Sequence, residues 1–269
     1  MTVKVLTTLA VMGLLAIGCT RNAITGRRQF SLISDAEINS MSDAQYRQFL
    51  TSNKILTTQG NRDVAMVNSV AQKLIAAIQT YYTEQGLANE LNNFKWEVNL
   101  VQDNQVNAWC MPGGKIVVYT GILPVTKNEE GLAVVMGHEI AHALAKHGKE
   151  RMSQGLFQQM GGQALSIALM NKPAETRNLF MGAYGLGSNV GFVLPFSRKN
   201  ELEADVLGLR FSALAGYNPQ EAISFWQRMG ALGGEKPAEL LSTHPADERR
   251  IAELKQAMPE ILAKYYKKS

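Results

Sequence analysis

This 269-residue chain has few cysteines, few long apolar runs and only a small net charge. Each of these features excludes a class of protein. The two cysteines, Cys19 and Cys110, cannot supply the four thiolates of a cysteine-only structural zinc site. The net charge of +4 falls short of the clustered basic surface that binds nucleic acid, so no nucleic-acid partner is expected. A hydrophobic content of 46% and a charged content of 19% describe a folded chain, long enough for one catalytic domain.

The longest apolar run lies at the N-terminus and has the features of an export signal. Lys4 precedes the apolar residues 5–17, which are too few to span a bilayer. The run ends in LAIGC, which resembles a bacterial lipobox, although Ala16 stands where that pattern prefers leucine. We therefore predict a lipoprotein signal peptide over residues 1–18 and a lipid anchor on Cys19, with an ordinary cleaved signal peptide as the alternative.

This N-terminal pattern also predicts where the protein acts. A lipidated Cys19 places the chain in the bacterial cell envelope, anchored to a membrane and facing the periplasm. The residue after Cys19 is Thr20 and not the aspartate that marks inner-membrane retention, which favours the outer membrane. A secreted or soluble periplasmic protein is the alternative. Cys110 is left without a partner, and we expect it to be a buried, inert thiol.

The rest of the chain reads as a predominantly helical α+β domain with a small sheet. Residues 19–60 are predicted to form a tether and an N-terminal helix, and residues 61–269 the main domain. Alternating and β-branched residues predict strands near 94–101, 106–110 and 116–119. Helices are predicted elsewhere, with a packed one at 155–170 and a glycine-rich loop or lid at 182–191 that does not fit a nucleotide-binding fingerprint.

A helix just after the predicted sheet carries the sequence His138-Glu139-Ile140-Ala141-His142. Thr126 and Glu129 are predicted to cap it, and it is expected to continue to about residue 153. Two histidines four residues apart are separated by only about 40° around a helix, so both rings can reach one ion. The glutamate beside them can reach a water molecule on that ion. The pattern therefore predicts a zinc site with Glu139 as general base, surrounded by small apolar residues.

Two histidines are too few for a catalytic zinc ion, which usually takes three protein ligands. The acidic residues Glu201, Glu203 and Asp205 lie on a predicted helix downstream. Glu201 and Asp205 share a face of that helix, which suggests that Glu201 binds the metal while Asp205 orients a histidine ring. Spacing alone leaves Glu203 open as the ligand. His147 is about 140° around the helix from His142, so we interpret it as structural.

Several ordered motifs together resemble the gluzincin peptidases of the HtpX type. That family includes the CAAX prenyl endopeptidases, the mitochondrial inner-membrane stress protease and periplasmic quality-control lipoproteins. The motifs are HEIAH at 138–142, NAW at 107–109 with PGG at 112–114, SRKNELEAD at 197–205, and His244-Pro245 followed by Arg249-Arg250-Ile251. Because no long spanning helix follows the signal region, the resemblance is to the lipid-anchored branch of the family.

The resemblance implies roles for residues that spacing does not assign. It implies a zincin-type domain that holds one zinc ion per chain, with Glu201 as the third ligand. His244 would be a transition-state stabiliser, and Arg250 would steady it. Asn107, Ala108 and Trp109 would form a strand that pairs with an extended substrate.

These features predict a zinc metalloendopeptidase that cleaves unfolded or misassembled envelope proteins. Its expected partners are unfolded polypeptides and a membrane surface. Two alternatives belong to other classes: a catalytically silent chaperone or binding module with the zincin fold, and a metal-dependent amidase acting on cell-wall peptides. The silent module would have lost Glu139 or a ligand, and the sequence retains them all.

Overall fold

The computed structural model describes residues 19–57, 60–168, 170, 197–232, 240–241, 244 and 248–267. The chain forms two compact units. One comprises residues 38–147 and 195–269, and the other comprises residues 1–37 and 148–194. The domain boundaries predicted at residues 18 and 60 stay predictions.

Helices dominate the described part of the chain, and the strands are short. The helices are α1 (Asp35–Ser52), α2 (Arg62–Glu84), α3 (Leu123–Thr126), α4 (Glu129–Leu144), α5 (His147–Ala168), α6 (Arg198–Leu214), α7 (Glu221–Ala231) and α8 (Glu248–Lys264). The strands are β1 (Cys19–Arg21), β2 (Arg28–Phe30), β3 (Glu97–Val101), β4 (Ala108–Met111) and β5 (Lys115–Tyr119). This composition confirms the predicted α+β class.

The three predicted strands form one sheet in the order β3-β5-β4. Strand β3 runs parallel to β5 and β4 runs antiparallel to it, so β4 lies at one edge of the described sheet. Every residue of β5 is buried, as expected of a β-branched central strand. The predicted turn before β5 needs glycine, because Gly114 has a φ of +86° and a Cβ there would lie 2.8 Å from the Trp96 ring.

Helix α4, which carries the two motif histidines, is buried on all sides. Every residue from Gly131 to Leu144 is buried, and the helix lies against α2, α6, α7 and β4. The predicted capping by Thr126 is wrong. Thr126 ends α3, where its hydroxyl donates to the Leu123 carbonyl, and the side chain of Asn128 caps α4 by accepting from the Gly131 amide.

The end of α4 also differs from the prediction. The helix ends at Leu144, and a new helix, α5, begins at His147 and continues to Ala168. Lys146 separates them with a φ of +57°, a left-handed conformation that is uncommon for a residue with a side chain. The predicted helix at 155–170 is therefore the later part of α5.

Helix α5 is only partly packed. Phe157 contacts Phe30 edge-on, with ring centroids 5.5 Å apart, but Met160 is 55% exposed and Ile167 is 70% exposed. The predicted loop at 182–191 lies outside the described residues. Among the helices that the structure describes, none has the length and hydropathy required to cross a membrane.

Two glycines allow α4 and α6 to approach closely. A Cβ on Gly208 would lie 2.7 Å from the His138 amide nitrogen and 2.8 Å from the Gly137 carbonyl carbon. A Cβ on Gly137 would lie 2.9 Å from both the Gly208 carbonyl oxygen and the Ser212 hydroxyl. Because the two helices carry the motif histidines and the acidic residues, this contact sets the distance between the two halves of the predicted site.

We expect Gly208→Ala to destabilise the fold by about 1–3 kcal/mol, because the added methyl group must push two helix backbones apart. Gly155→Ala is the matched control. Gly155 also lies in a helix, but no atom would come within 4 Å of its Cβ. That change should be neutral or stabilise by about 0.5–1 kcal/mol. Urea unfolding measures both, and equal stabilities for the two variants would contradict the close contact.

Candidate metal centre

Four buried side chains bring their ligand atoms together. They are His138 and His142 from α4, Glu201 from α6, and His244 from the segment between α7 and α8. One ligand atom from each lies within 4.8 Å of the others. Imidazole nitrogens and a carboxylate oxygen are ligands that zinc and related transition metals prefer. The cluster could therefore hold a metal ion, and it contains all three predicted ligands.

Glu201 faces both motif histidines. Its Oε1 atom lies 3.3 Å from Nε2 of His142, and its Oε2 atom lies 3.5 Å from Nε2 of His138. Glu203, which spacing left open as the ligand, instead places Oε2 2.8 Å from Nε2 of His147. Of the two glutamates, the structure thus brings Glu201 into the cluster.

Asp205 fixes the orientation of the His138 ring. Its Oδ1 atom lies 2.9 Å from Nδ1 of His138. Although burial acts to raise the pKa of Asp205, the Arg250 guanidinium and His138 hold it below its usual value, so this carboxylate accepts. Nδ1 of His138 then carries the proton and Nε2 carries a lone pair. The lone-pair nitrogen is the one that faces the cluster.

The atoms at the centre of the cluster carry lone pairs that need a cation. Nε2 of His138 lies 3.1 Å from Nε2 of His142, and the carboxylate of Glu201 lies beside both. Burial acts to raise the pKa of Glu201, but the three neighbouring histidines hold it well below its usual value, so the carboxylate is ionised. Buried acceptors that converge in this way repel one another unless a positive charge lies between them. The donor set therefore fits a divalent metal ion.

Glu139 supplies a second indication of the same kind. Its side chain is buried, and Oε1 has no hydrogen-bond partner among the described residues. Burial raises the pKa of Glu139. The nearest described ring nitrogen, Nε2 of His244, is 3.6 Å away from Oε1, too far for a hydrogen bond. A buried carboxylate oxygen is costly without a partner, and a water molecule beside the metal cluster would provide one.

His244 lies closer to the ligands than its predicted role required. Its Nδ1 atom is 2.9 and 3.0 Å from the two oxygens of Glu201 and 3.2 Å from Nε2 of His138. In this position the ring can act as a ligand as well as a hydrogen-bond donor to a substrate. Its role in stabilising a transition state stays a prediction.

Arg250 connects the acidic residues behind the cluster. It donates two hydrogen bonds to Asp205, at 2.6 Å from Nε and 2.7 Å from Nη2, and Nη1 lies 3.2 Å from Glu201 Oε2. It also reaches the His244 carbonyl oxygen at 3.5 Å. Arg250 therefore holds the two carboxylates, in addition to contacting the residue that it was predicted to steady.

Sequence reasoning missed Trp226, which supports both Arg250 and His138. The Arg250 guanidinium lies 3.5 Å from the centroid of the Trp226 ring, and the His138 ring packs edge-on against the same tryptophan at 5.5 Å. A cation over an aromatic face is stabilised, the more so when both groups are buried. The apolar pattern of α7 could identify Trp226 as a core residue but gave no signal of this contact.

The contacts of His147 with His142 and with Glu203 were also missed. His147 was interpreted as structural because a continuous helix would turn it away from His142. Since α4 ends before it, Nδ1 of His147 instead lies 2.9 Å from Nδ1 of His142. The positive φ of Lys146 is a tertiary feature that no helical spacing rule anticipates.

The predicted substrate strand packs against α4, and the side chains of Ala108 and Trp109 are turned into the protein. Trp109 packs against Phe49 with ring centroids 5.0 Å apart, and its indole nitrogen donates to the Tyr119 hydroxyl at 3.3 Å. Ala108 is buried, and the Asn107 carbonyl accepts from the Tyr119 amide. Any substrate binding by these residues would therefore use the backbone edge of β4.

Cys110 is the residue of β4 after Trp109, and it is partly buried. Burial raises the pKa of its thiol, and the charge of Glu139 acts in the same direction. The thiol therefore remains protonated, which is the form expected of an unreactive cysteine.

Residues 67–258 match the model of Peptidase family M48. The chain is 31% identical to the mitochondrial metalloendopeptidase OMA1 of Schizosaccharomyces pombe over 246 residues, which are 90% of this chain and 67% of that protein. It is 39% identical to OMA1 of Arabidopsis thaliana over 180 residues, 66% of this chain and 35% of the plant protein. It is 28% identical to the β-barrel assembly-enhancing protease of Escherichia coli over 160 residues, 57% and 32% of the two chains. The chain thus spans about one to two thirds of the length of these relatives.

We expect Arg250→Met to destabilise the protein by about 3–5 kcal/mol, because it leaves the buried carboxylates of Asp205 and Glu201 without their cation. Arg249→Met is the matched control. Arg249 is the adjacent arginine, but its side chain is 68% exposed and forms an ion pair with Glu253 at 3.4 Å. Because this pair is at the surface, that variant should remain within about 0.5 kcal/mol of the wild type in urea unfolding. A small effect at Arg250 would show that the carboxylates do not depend on it.

Proposed function

The chain belongs to peptidase family M48, and on this basis we propose that it is a zinc-dependent endopeptidase that holds one zinc ion. His138, His142 and Glu201 would bind the ion. The observation that carries the proposal is the convergence of three buried imidazoles and a buried carboxylate beside a glutamate whose Oε1 atom lacks a described partner. A non-catalytic metal site would not need that glutamate.

Zinc bound at this site would lower the pKa of a water molecule and polarise the carbonyl of a scissile peptide bond. Glu139 lies where it can take the proton from the attacking water and return it to the leaving amine. Its raised pKa makes it a better proton acceptor than an exposed glutamate. The surrounding apolar residues of α4 exclude other water molecules from this proton transfer.

His244 and Arg250 would act on the developing negative charge. His244 lies on the same side of the cluster as Glu139, with its Nε2 atom 3.6 Å from Glu139 Oε1. From there a ring N–H could donate to a substrate oxyanion. Arg250 would contribute indirectly, because it holds Asp205 and Glu201 and contacts the His244 backbone.

The substrates that we propose are extended segments of unfolded or misassembled proteins. β4 pairs with β5 on one side, and within the described residues no strand occupies its other edge. An extended peptide added to that edge would be held by backbone hydrogen bonds with little selection for sequence. The relatives named as a β-barrel assembly-enhancing protease and as mitochondrial metalloendopeptidases support a role in protein quality control.

We further propose that the protein is lipid-anchored in a bacterial cell envelope and faces the periplasm, with the outer membrane favoured. The support is the lipobox-like sequence that ends at Cys19, whose side chain is exposed. The OMA1 relatives are named as mitochondrial, so the proposed location rests on the N-terminal sequence and not on them.

Glu139→Gln should retain one zinc per chain and lose at least about 100-fold in the cleavage of unfolded casein, because an amide cannot accept the water proton. Glu201→Gln, a change of the same size at a ligand, should lose zinc as well as activity. Zinc is measured by atomic absorption after dialysis, and cleavage by the release of soluble fragments.

A chelator should abolish wild-type cleavage, and added zinc should restore it. Full activity of Glu139→Gln would refute the assignment of the base. Wild-type protein that binds zinc but cleaves neither unfolded protein nor peptide would favour a binding module, and cleavage of cell-wall peptides alone would favour an amidase.

Cys19→Ser should abolish the incorporation of radiolabelled palmitate and release the protein from the membrane fraction, because the lipid is attached through the Cys19 sulfur. Cys110→Ser is the matched control and should keep both the label and the membrane association. Labelling that survives in Cys19→Ser would contradict the anchor.

A further inference from the structure

We propose that His147 and Glu203 are a pair of positioning residues that hold the His142 ring with its Nε2 atom directed at the metal ion. This inference rests on the proposed zinc function and concerns how one ligand is held. Neither residue belongs to the group of side chains that could bind the ion directly. Both lie immediately behind that group, on α5 and α6.

The first contact joins Glu203 to His147. Oε2 of Glu203 lies 2.8 Å from Nε2 of His147, within the range of a charge-assisted hydrogen bond. An ionised carboxylate can only accept, so Nε2 of His147 is the donor. The neutral imidazole then has a lone pair on its other nitrogen, Nδ1.

The second contact joins His147 to His142 and determines which nitrogen of His142 carries the proton. Nδ1 of His147 lies 2.9 Å from Nδ1 of His142, and one of the two nitrogens must donate. Because His147 presents a lone pair there, His142 donates from Nδ1 and keeps its own lone pair on Nε2. That atom lies 3.3 Å from Glu201 Oε1, on the side of the metal cluster. The Glu203 carboxylate therefore sets the tautomer of His142 through an intervening ring.

The His138 ring is oriented in the same way, but by direct contact with a carboxylate. Its Nδ1 atom lies 2.9 Å from Asp205 Oδ1, without a second ring between them. Each motif histidine thus has a carboxylate that keeps the proton on Nδ1 and the lone pair on Nε2. Without the pair behind it, His142 could place its proton on Nε2, where it would block the metal.

The local fold accounts for the position of His147. The left-handed Lys146 ends α4 and turns the chain, so the first residue of α5 points back toward His142. The His147 side chain is fully buried, and Glu203 is 16% exposed. A buried imidazole is therefore held between two partners in fixed positions, as orientation of a ligand requires.

The test measures zinc affinity by competition with a chromophoric chelator on the full chain. Glu203→Gln should weaken zinc binding by about 10-fold or more, within the range of 10- to 100-fold seen for residues that orient a ligand. His147→Leu should weaken it at least as much, because it removes the acceptor. His147→Asn should recover much of the loss, since its Oδ1 atom can accept near the position of the imidazole Nδ1.

A double mutant separates positioning from a direct effect of the Glu203 charge. If Glu203 acts through His147, Glu203→Gln should change zinc affinity by less than about twofold in the His147→Leu background. Equal weakening in both backgrounds would mean that the charge attracts the ion directly, and would overturn the proposal. Should His147→Leu fail to fold, the His147→Asn background serves the same purpose with Glu203→Gln.

Glu221→Gln is the matched control. Glu221 forms a partly buried ion pair with Arg228 at 2.7 Å, away from the cluster. The Glu221→Gln variant should therefore bind zinc with the affinity of the wild type. The visible spectrum of the cobalt-substituted protein gives an independent readout, because a reoriented His142 should alter it in Glu203→Gln and leave it unchanged in Glu221→Gln.

The possible failures are distinguishable. Wild-type protein that binds zinc and cleaves protein, while Glu203→Gln and His147→Leu keep wild-type affinity, would overturn only the positioning pair. Wild-type protein that binds no zinc would overturn the proposed function and this inference together.

Discussion

Nε2 of His138 and Nε2 of His142 lie 3.1 Å apart in a buried site, with the Glu201 carboxylate beside them. Bringing such groups together is unfavourable, since each has lost water and each presents a lone pair to the others. The surrounding structure compensates for this cost. The close contact of Gly137 with Gly208 fixes the two helices, and the burial of α4 on all sides prevents the histidines from turning outward.

The residues around this centre alternate in charge from the inside outward. Asp205 accepts from His138, Arg250 neutralises Asp205 and contacts Glu201, and the face of Trp226 supports Arg250. No further charged residue is required beyond Arg250, because the Trp226 ring stabilises the guanidinium without a counter-ion. A buried network of this kind is stable only when every member is satisfied, which explains why the arginine is fully buried beside a carboxylate rather than solvated.

The sequence predicts the centre of this arrangement better than its surroundings. The spacing of His138 and His142 depends only on helix geometry, and α4 is helical over both, so the prediction that they share a face is confirmed. Strand alternation likewise located the sheet to within a few residues. Glu201 could not be separated from Glu203 by spacing, because a helix of unknown rotation can present either one. The contact between His147 and His142 could not be predicted for a different reason: it depends on the positive φ of Lys146, a conformation that helical spacing does not include.

The Oε1 atom of Glu139, which has no hydrogen-bond partner in the part of the chain that the structure describes, links the stability of the fold to the chemistry that we propose. A protein selected only for stability would place an apolar residue or a paired carboxylate at that position, since an unpaired buried oxygen costs about 1–3 kcal/mol. The same applies to the converging lone pairs of the ligands. Both costs disappear when a divalent cation and a water molecule occupy the space between these atoms, so metal binding and folding contribute to one free energy. The groups that are unfavourable in the metal-free fold would then be the ones that we propose to bind the metal and accept the proton, and the charged and aromatic residues around them would stabilise the centre.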